Sequence, residues 1–189
     1  AMVALEVASP CDEGLLDDDG LAARLDGRWR LLSTLTATVG RDVEDGAQRG
    51  VVNASGVIVD ADSDVNCPVQ AIDVTRRRIA NEVRVALPLV GLAFLRISGG
   101  FQRGDNARRA EVEFDTIEVF SKDGAPLWTN TWLFRLVRTL NPALFNGDDA
   151  ASWLETTYLS DDVRIGRGNK GSCFLLERDD APAVLPPIP

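Results

Sequence analysis

Over most of this chain, apolar and polar residues alternate with a period of two, and clusters of Gly, Pro, Asn and Asp interrupt the alternation. The pattern is most regular over residues 76–87. A period of two indicates β-strands, because successive side chains of a strand point to opposite faces. Short strands with regular turns and no long helix between them predict an all-β fold, an antiparallel sandwich or closed barrel of about eight strands. Besides 76–87, the predicted strands are 28–38, 51–60, 65–74, 110–120, 127–137, 163–166 and 172–178.

One predicted strand, 110–120, changes phase along its length. Val112 and Phe114 alternate with acidic residues, whereas Ile117 and Val119 continue the apolar pattern one position out of step. An extra residue in a strand produces such a shift, because it turns every later side chain to the opposite face. We therefore expect a β-bulge where the phase changes.

The composition divides the chain into three parts. Residues 1–26 are acidic, and leucines between Leu15 and Leu25 recur at near-helical spacing, which predicts a short N-terminal helix. Residues 27–178 contain the predicted strands and form the barrel. Residues 179–189 end in Pro-Pro-Ile-Pro and predict an extended, Pro-rich tail.

The net charge and the missing histidines exclude several classes of function. A formal net charge of −9 opposes binding to nucleic acid, whose phosphates require a basic surface. The chain has no His, which excludes histidine general bases, His-containing triads and the commonest zinc ligand. Cys11, Cys67 and Cys173 stand far apart, so we expect small buried side chains, with one disulfide as the alternative, and no metal site.

Signals of catalysis are also weak. The adjacent pairs Asp148–Asp149 and Asp161–Asp162 would point in opposite directions on a strand, so neither forms an acid–base couple. The chain contains no nucleophile elbow, P-loop or dinucleotide-binding fingerprint. We therefore expect that the protein is not an enzyme.

The start of the first predicted strand reads Gly27-Arg28-Trp29. This G-x-W resembles the signature that opens lipocalin-type barrels, in which the Trp closes one end. The resemblance implies that an Arg from the last strand covers the indole by a cation–π contact, and Arg178 ends the last predicted strand here.

A longer motif lies near the C-terminus, where residues 157–176 read TYLSDDVRIGRGNKGSCFLL. This run resembles the end signature of the plastid lipid-associated proteins, also called plastid fibrillins. GRWRLLST at 27–34, QAID at 70–73 and NEV at 81–83 resemble other parts of that family's pattern. The similarity covers about residues 25–178, although Ser33 stands where a Tyr is usual and residues 39–66 depart from the usual spacing.

This family resemblance implies a lipocalin-like barrel in a plastid (chloroplast), at the thylakoid or on plastoglobules. It implies association with a carotenoid, quinone, fatty acid or other lipid as a bound ligand, with no required cofactor. The chain starts with Ala1-Met2, so we expect any targeting peptide to lie outside it. The motif residues are Tyr158, Arg164, Arg167, Gly168 and Gly171.

The two motif arginines have two interpretations. Arg164 and Arg167 can bond to loop carbonyls or pair with Asp161 and Asp162, while Gly168 and Gly171 supply positive φ angles in the turn. Alternatively, an arginine also anchors the polar end of a ligand.

Two functions from different classes fit this sequence. In the first, the protein binds or carries a lipophilic molecule inside the barrel, whose lining is predicted as Trp29, Gln70, Asn81, Val83, Phe114, Trp132 and Phe134. In the second, the barrel is a filled scaffold, a structural or assembly subunit docked on a thylakoid complex such as a photosystem. Small inward-facing side chains favour the first, and a packed interior favours the second.

Two apolar segments predict contact with a membrane or a protein partner. Residues 87–95 carry no charged or hydrogen-bonding side chain, and 140–145 is shorter. An exposed apolar run at a barrel rim can insert into lipid or dock on a protein, while a buried strand is the alternative. The predicted contact residues are Leu87, Leu89, Leu92, Phe94, Leu144 and Phe145.

Overall fold

The computed structural model of the chain describes residues 5–7, 11, 13–36, 50–52, 58–60, 68–87, 91–130, 152–169 and 171–189. Near the N-terminus, helix α1 (Asp19–Ala22) continues into a 3-10 turn (Ala23–Leu25), as predicted. The Asp18 side chain caps α1 by accepting from the N–H groups of Gly20 and Leu21. The strands are β1 (Gly27–Thr36), β2 (Gly50–Val52), β3 (Ile58–Asp60), β4 (Val69–Asp73), β5 (Arg78–Leu87), β6 (Gly91–Arg103), β7 (Arg109–Ser121), β8 (Pro126–Asn130), β9 (Ser152–Leu159), β10 (Val163–Gly168) and β11 (Ser172–Arg178).

The main sheet curls into a ring. Its strands follow the order β6, β5, β4, β1, β11, β10, β9, β7, and a second pairing between β6 and β7 closes the ring at eight strands. Every pairing in it is antiparallel. β9 pairs with the first part of β7 and β8 with the last part, while β2 and β3 form a separate hairpin. The predicted antiparallel, barrel-like fold with a short helix is confirmed.

Two strands of the ring, β6 and β9, were not predicted. Of residues 87–95, 91–95 belong to β6, so they form a strand as in the alternative, but Gly91 and Leu92 are exposed rather than buried. Leu87 ends β5, and 88–90 lie outside the described residues. Leu92 and Phe94 point to the outer face, and Ala93 and Leu95 to the inner one, as their cross-strand partners show. Because both faces are apolar here, the alternation that reveals a strand is missing.

The predicted bulge lies in β7 and allows the ring to close. Ser98 of β6 pairs with Thr116, but the next residue, Gly99, pairs with Phe114, so Asp115 is the extra residue. A Cβ on Gly99 would collide with the Glu113 carbonyl and approach the Cα of Phe114 to 2.5 Å. Glycine is therefore required where the bulged strand crosses closest to β6.

Trp29 fills the end of the ring where β1 begins. Its side chain is 0% exposed and packs with an apolar cluster from β1, β4, β5, β7 and β11. The indole Nε1 donates to the Leu25 carbonyl at 2.9 Å, which joins the plug to the N-terminal segment. Gly27, with φ of 112°, adopts a conformation that other residues rarely allow just before the Trp. The cluster consists of Trp29, Leu31, Ile72, Ile79, Val112 and Leu176.

The N-terminal segment lies over this closed end. Cys11, Leu15 and Leu25 are buried together and contact Val74 and Leu159. The Leu16 N–H donates to the Ala107 carbonyl at 2.8 Å, across the turn between β6 and β7. The end that holds Trp29 is thus covered by a second apolar layer.

The Pro-rich tail packs against the outer face of the ring. Leu185 and Ile188 are buried, and Ile188 contacts Ala71 and Ala80 on β4 and β5. Beneath the tail, Arg96 pairs with Glu82 at 3.0 Å and with Glu118 at 3.5 Å. Its guanidinium also donates to the carbonyls of Pro186 and Pro187, so this buried cation is fully compensated.

We expect Trp29→Ala to lower the free energy of unfolding by about 3–5 kcal/mol, because it removes a large aromatic side chain from a packed site. Urea unfolding monitored by far-UV circular dichroism measures the effect. The matched control is Trp128→Ala, since Trp128 is 41% exposed and its loss should cost about 1 kcal/mol or less. A loss below about 1 kcal/mol for Trp29→Ala would contradict the plug role.

Candidate functional site

Arg178 covers one face of the Trp29 indole, as predicted. Its guanidinium carbon lies 4.3 Å from the ring centroid. Its three nitrogens donate to the backbone carbonyls of Asp161 at 2.6 Å, Asp26 at 3.0 Å and Arg24 at 2.8 Å. Arg178 therefore ties the turn between β9 and β10 to the N-terminal segment, and its role is structural.

A second arginine, Arg164 of β10, also contacts Trp29 but from inside the ring. Its guanidinium carbon lies 5.3 Å from the ring centroid, and the side chain is 1% exposed. Nη2 donates to Oε1 of Gln70, whereas the buried Nε makes no hydrogen bond to any residue that the structure describes. Among the described residues, no ion pair joins Arg164 to a carboxylate.

The partner of Arg164 belongs to a row of polar groups on the inner face. Gln70 pairs directly with Trp29 on one side and with Asn81 on the other, so the three share the inward face. Gln70 Nε2 donates to Asn81 Oδ1 at 3.1 Å. Both amides remain partly exposed although they face inward, which indicates that the interior beside them is accessible.

Burial makes the charge on Arg164 unfavourable. Desolvation, and secondarily the positive charge of Arg178, lower the pKa of Arg164 from its ordinary value to about 9. A buried cation normally pairs with an anion, since an uncompensated charge opposes folding. Arg164 is compensated only by a neutral amide and an aromatic face among the described groups.

Beyond Asn81, the inner face becomes apolar and less tightly covered. Val83 pairs with Leu95, Leu95 with Val119, and Val119 with Trp128, so one inward row crosses four strands. Val83 is buried, Leu95 and Val119 are partly exposed, and Trp128 is 41% exposed. We call the end at this row the open end, because Leu95, Val119 and Trp128 keep exposed surface there, although Ala93 in the next inward row is 0% exposed.

The predicted lining residues are only partly brought together. Trp29, Gln70, Asn81 and Val83 share the inward face on three neighbouring strands. Phe114 lies across the ring against the Trp29 cluster. Trp132 and Phe134 lie outside the described residues.

The other motif residues have separate roles. Arg167 points outward and pairs with Glu6 at 2.7 Å, which lowers the pKa of Glu6, rather than with Asp161 or Asp162. Tyr158 pairs with Ile165 between β9 and β10. Gly171 has the expected positive φ, 74°, but Gly168 ends β10 without one; a Cβ there would lie 3.4 Å from the Phe174 ring.

The predicted contact residues lie near the open end where they can be placed. Leu92 is 40% exposed on the outer face of β6. Phe94 is partly covered, because the Arg84 guanidinium lies 5.2 Å from its ring centroid. The side chain of Leu87, and all of Leu89, Leu144 and Phe145, lie outside what the structure describes.

Sequence reasoning missed Leu95, Ile97 and Val119 as part of the inner lining. The β6 sequence carries a signal that could have found the first two, since Ala93, Leu95, Ile97 and Gly99 alternate with larger or polar residues. The opposing Arg96 and Ser98 are buried under the tail, so they do not show as a solvent face.

These features define a barrel-like antiparallel sheet with one plugged end and one open end. The PAP/fibrillin family model matches residues 1–177, and the chain therefore belongs to the PAP/fibrillin family. No solved structure gives a significant match.

Curated relatives match over shorter stretches. Plastid lipid-associated protein 2, chloroplastic, from Brassica campestris is 43% identical over 60 residues, 31% of this chain and 19% of the relative. The probable plastid-lipid-associated protein 12, chloroplastic, from Arabidopsis thaliana is 53% identical over 38 residues, 19% of this chain and 9% of the relative. The light-induced protein, chloroplastic, from Solanum tuberosum is 49% identical over 39 residues, 21% and 12% of the two chains. The match thus spans less than a fifth of these relatives' length.

We expect Arg164→Met to leave the ligand-free protein at least as stable as the parent at pH 7. The pKa of Arg164 is lower in the folded than in the unfolded state, so the unfolded chain holds the proton more tightly and the charged group opposes folding, fully so below about pH 9. Urea unfolding without added lipid measures this. The matched control is Arg167→Met, which removes an outward ion pair and should cost about 1 kcal/mol or less. A loss of more than about 1 kcal/mol in Arg164→Met would instead show that the arginine is architectural.

Proposed function

We propose that this protein binds or carries a lipophilic small molecule inside the ring, in a plastid, at the thylakoid or on plastoglobules, and without catalysis. The observation that carries this proposal is the asymmetry of the ring interior. One end is plugged by Trp29, whereas inward-facing Leu95, Val119 and Trp128 keep exposed surface at the other. An apolar cavity with a few polar groups at its base is the usual form of a small-molecule site.

The relatives support the cellular setting of the proposal. Their names describe plastid lipid-associated and chloroplastic proteins, and the family match covers most of this chain. The ligand classes we propose are carotenoids, quinones and fatty acids, none as a required cofactor. Gln70 and Asn81 would orient the polar end of the molecule.

A saturable ligand should quench the tryptophan fluorescence of the purified protein. We expect saturation with at least one member of a panel of carotenoid, quinone and fatty acid, because Trp128 lies on the inner face at the open end. Trp128→Phe should reduce the quenching amplitude more than Trp153→Phe, the control on β9. Quenching that rises without saturation across the whole panel would favour the scaffold function.

The surface around the open end supports peripheral attachment. Leu92, Leu127 and Trp128 are 40%, 50% and 41% exposed, on the strands that surround this end. A net charge of −9 disfavours attraction to anionic lipid, so apolar contact must provide the binding. In the described part of the chain, no helix has the length and hydropathy needed to span a bilayer. The same exposed residues would serve the second candidate, a subunit docked on a thylakoid complex.

The attachment is tested with Leu92→Asp combined with Leu127→Asp. Both side chains are exposed, so the fold should persist, and each leucine contributes roughly 1.5–3 kcal/mol to insertion before ordering costs. We expect the double variant to leave isolated plastid membranes in a sedimentation assay, while high salt alone releases little.

The matched control is Leu32→Asp, since Leu32 is 48% exposed but lies on β1, across the ring from β7. This variant should stay bound. Complete release by salt, with the double variant still attached, would instead indicate a polar protein interface.

A further inference from the structure

Two buried arginines on opposite faces of the same sheet have different surroundings. Arg96 on the outer face has Glu82, Glu118 and two tail carbonyls around its guanidinium. Arg164 on the inner face has Gln70 and the Trp29 ring, and its buried Nε has no acceptor among the described residues. Both side chains are 1% exposed, so the two arginines are equally buried. They differ in that, among the described residues, Arg96 has carboxylates beside it and Arg164 has none.

Arg164 is linked to the partly exposed inner face through its hydrogen-bond partner. Its hydrogen-bond partner Gln70 continues to Asn81, and both amides are partly exposed on the inner face. A carboxylate placed beside Gln70 can accept from the guanidinium in place of a neutral amide oxygen. Such a charge-assisted bond is shorter and roughly twice as strong as the neutral one.

The two arginines beside Trp29 differ in burial and in hydrogen bonding. Arg178 is partly exposed, and its three nitrogens already donate to backbone carbonyls. Arg164 is fully buried and has only a neutral amide acceptor among the described residues, so it is the cation that a carboxylate would bind.

The inner face above the amides supplies an apolar path. From Asn81 to Leu87, β5 extends roughly 20 Å toward the open end at about 3.3 Å per residue, the length scale of a long acyl chain. Val83, Leu95 and Val119 form one inward row across this path.

We propose that Arg164 is the anion site of the ring and binds the carboxylate of a long-chain acidic amphiphile, with Gln70 and Asn81 beside the head group. The proposal rests on the proposed function and narrows its ligand to acids. It also separates the two motif arginines, since Arg167 lies outside and pairs with Glu6.

The test compares oleate with oleyl alcohol, which share one chain and differ in the charge of the head group. Equilibrium dialysis of the radiolabelled compounds, below their aggregation limits, gives both dissociation constants. We expect the full chain to prefer oleate by roughly 10-fold or more, as a charged hydrogen bond predicts. Arg164→Gln should remove this preference while binding oleyl alcohol within about threefold of the parent.

Two further variants keep the test decisive. Arg167→Gln is the matched control on the same strand and should keep the preference. Arg164→Lys retains the positive charge and should keep part of the preference for oleate. It therefore still tests the proposal if Arg164→Gln does not fold.

Each remaining outcome overturns a specific statement. Equal binding of the two compounds by the parent overturns the anion site but leaves the proposed function standing. A preference that persists in Arg164→Gln overturns the assignment to Arg164. Binding of neither oleate nor oleyl alcohol, together with no saturable ligand in the panel above, overturns the proposed function itself.

Discussion

The burial of Trp29 is the constraint on which the rest of the structure depends. Its indole touches the N-terminal segment through the Leu25 carbonyl, β11 through Arg178 and β10 through Arg164. A side chain of this size leaves little room at its end of the ring, so any accessible interior must lie toward the other end. The burial of Trp29 therefore determines which end of the ring has an accessible interior, and it also stabilises the fold.

Buried charge is handled differently on the two faces of the sheet. On the outer face, Arg28, Glu82, Arg96 and Glu118 form connected ion pairs beneath the tail. In this network, the structural arginine Arg96 is buried together with the carboxylates that pair with it. Arg164, on the inner face, has no such carboxylate partner among the described residues. A buried charge without a counter-charge breaks a general rule of folding, and such exceptions are typical of functional sites.

Strands in which apolar and polar residues alternate clearly were predicted from the sequence, and strands without a clear alternation were missed. β5 has one inward face and one face with charged residues, so its period of two is clear. In β6, the outward Leu92 and Phe94 are as apolar as the inward Ala93 and Leu95, so the alternation is hidden at 92–95 and becomes visible only with Arg96 and Ser98. The plug at Trp29 was predicted from the resemblance of G-x-W to the lipocalin signature, and the bulge from the phase change between Phe114 and Ile117. The interior role of Arg164 was not resolved, because the register of β10 against β9 shifts between Ile165 and Gly166, and only the ring brings Gln70 to it.

The depth of Arg164 and the apolar open end together imply an order of binding. A head group that reaches Arg164 must pass the open end first, and the tail then occupies the apolar row behind it. Lipids in a bilayer present their head groups to water, so a protein that sits on the surface by Leu92 and Leu127 meets the head group before the chain. The acidic protein surface repels free carboxylates, whereas the buried Arg164 attracts them. If Arg164 is the anion site that we propose, this combination favours uptake of acids from an apolar surface, where the open end is in contact, over capture from solution.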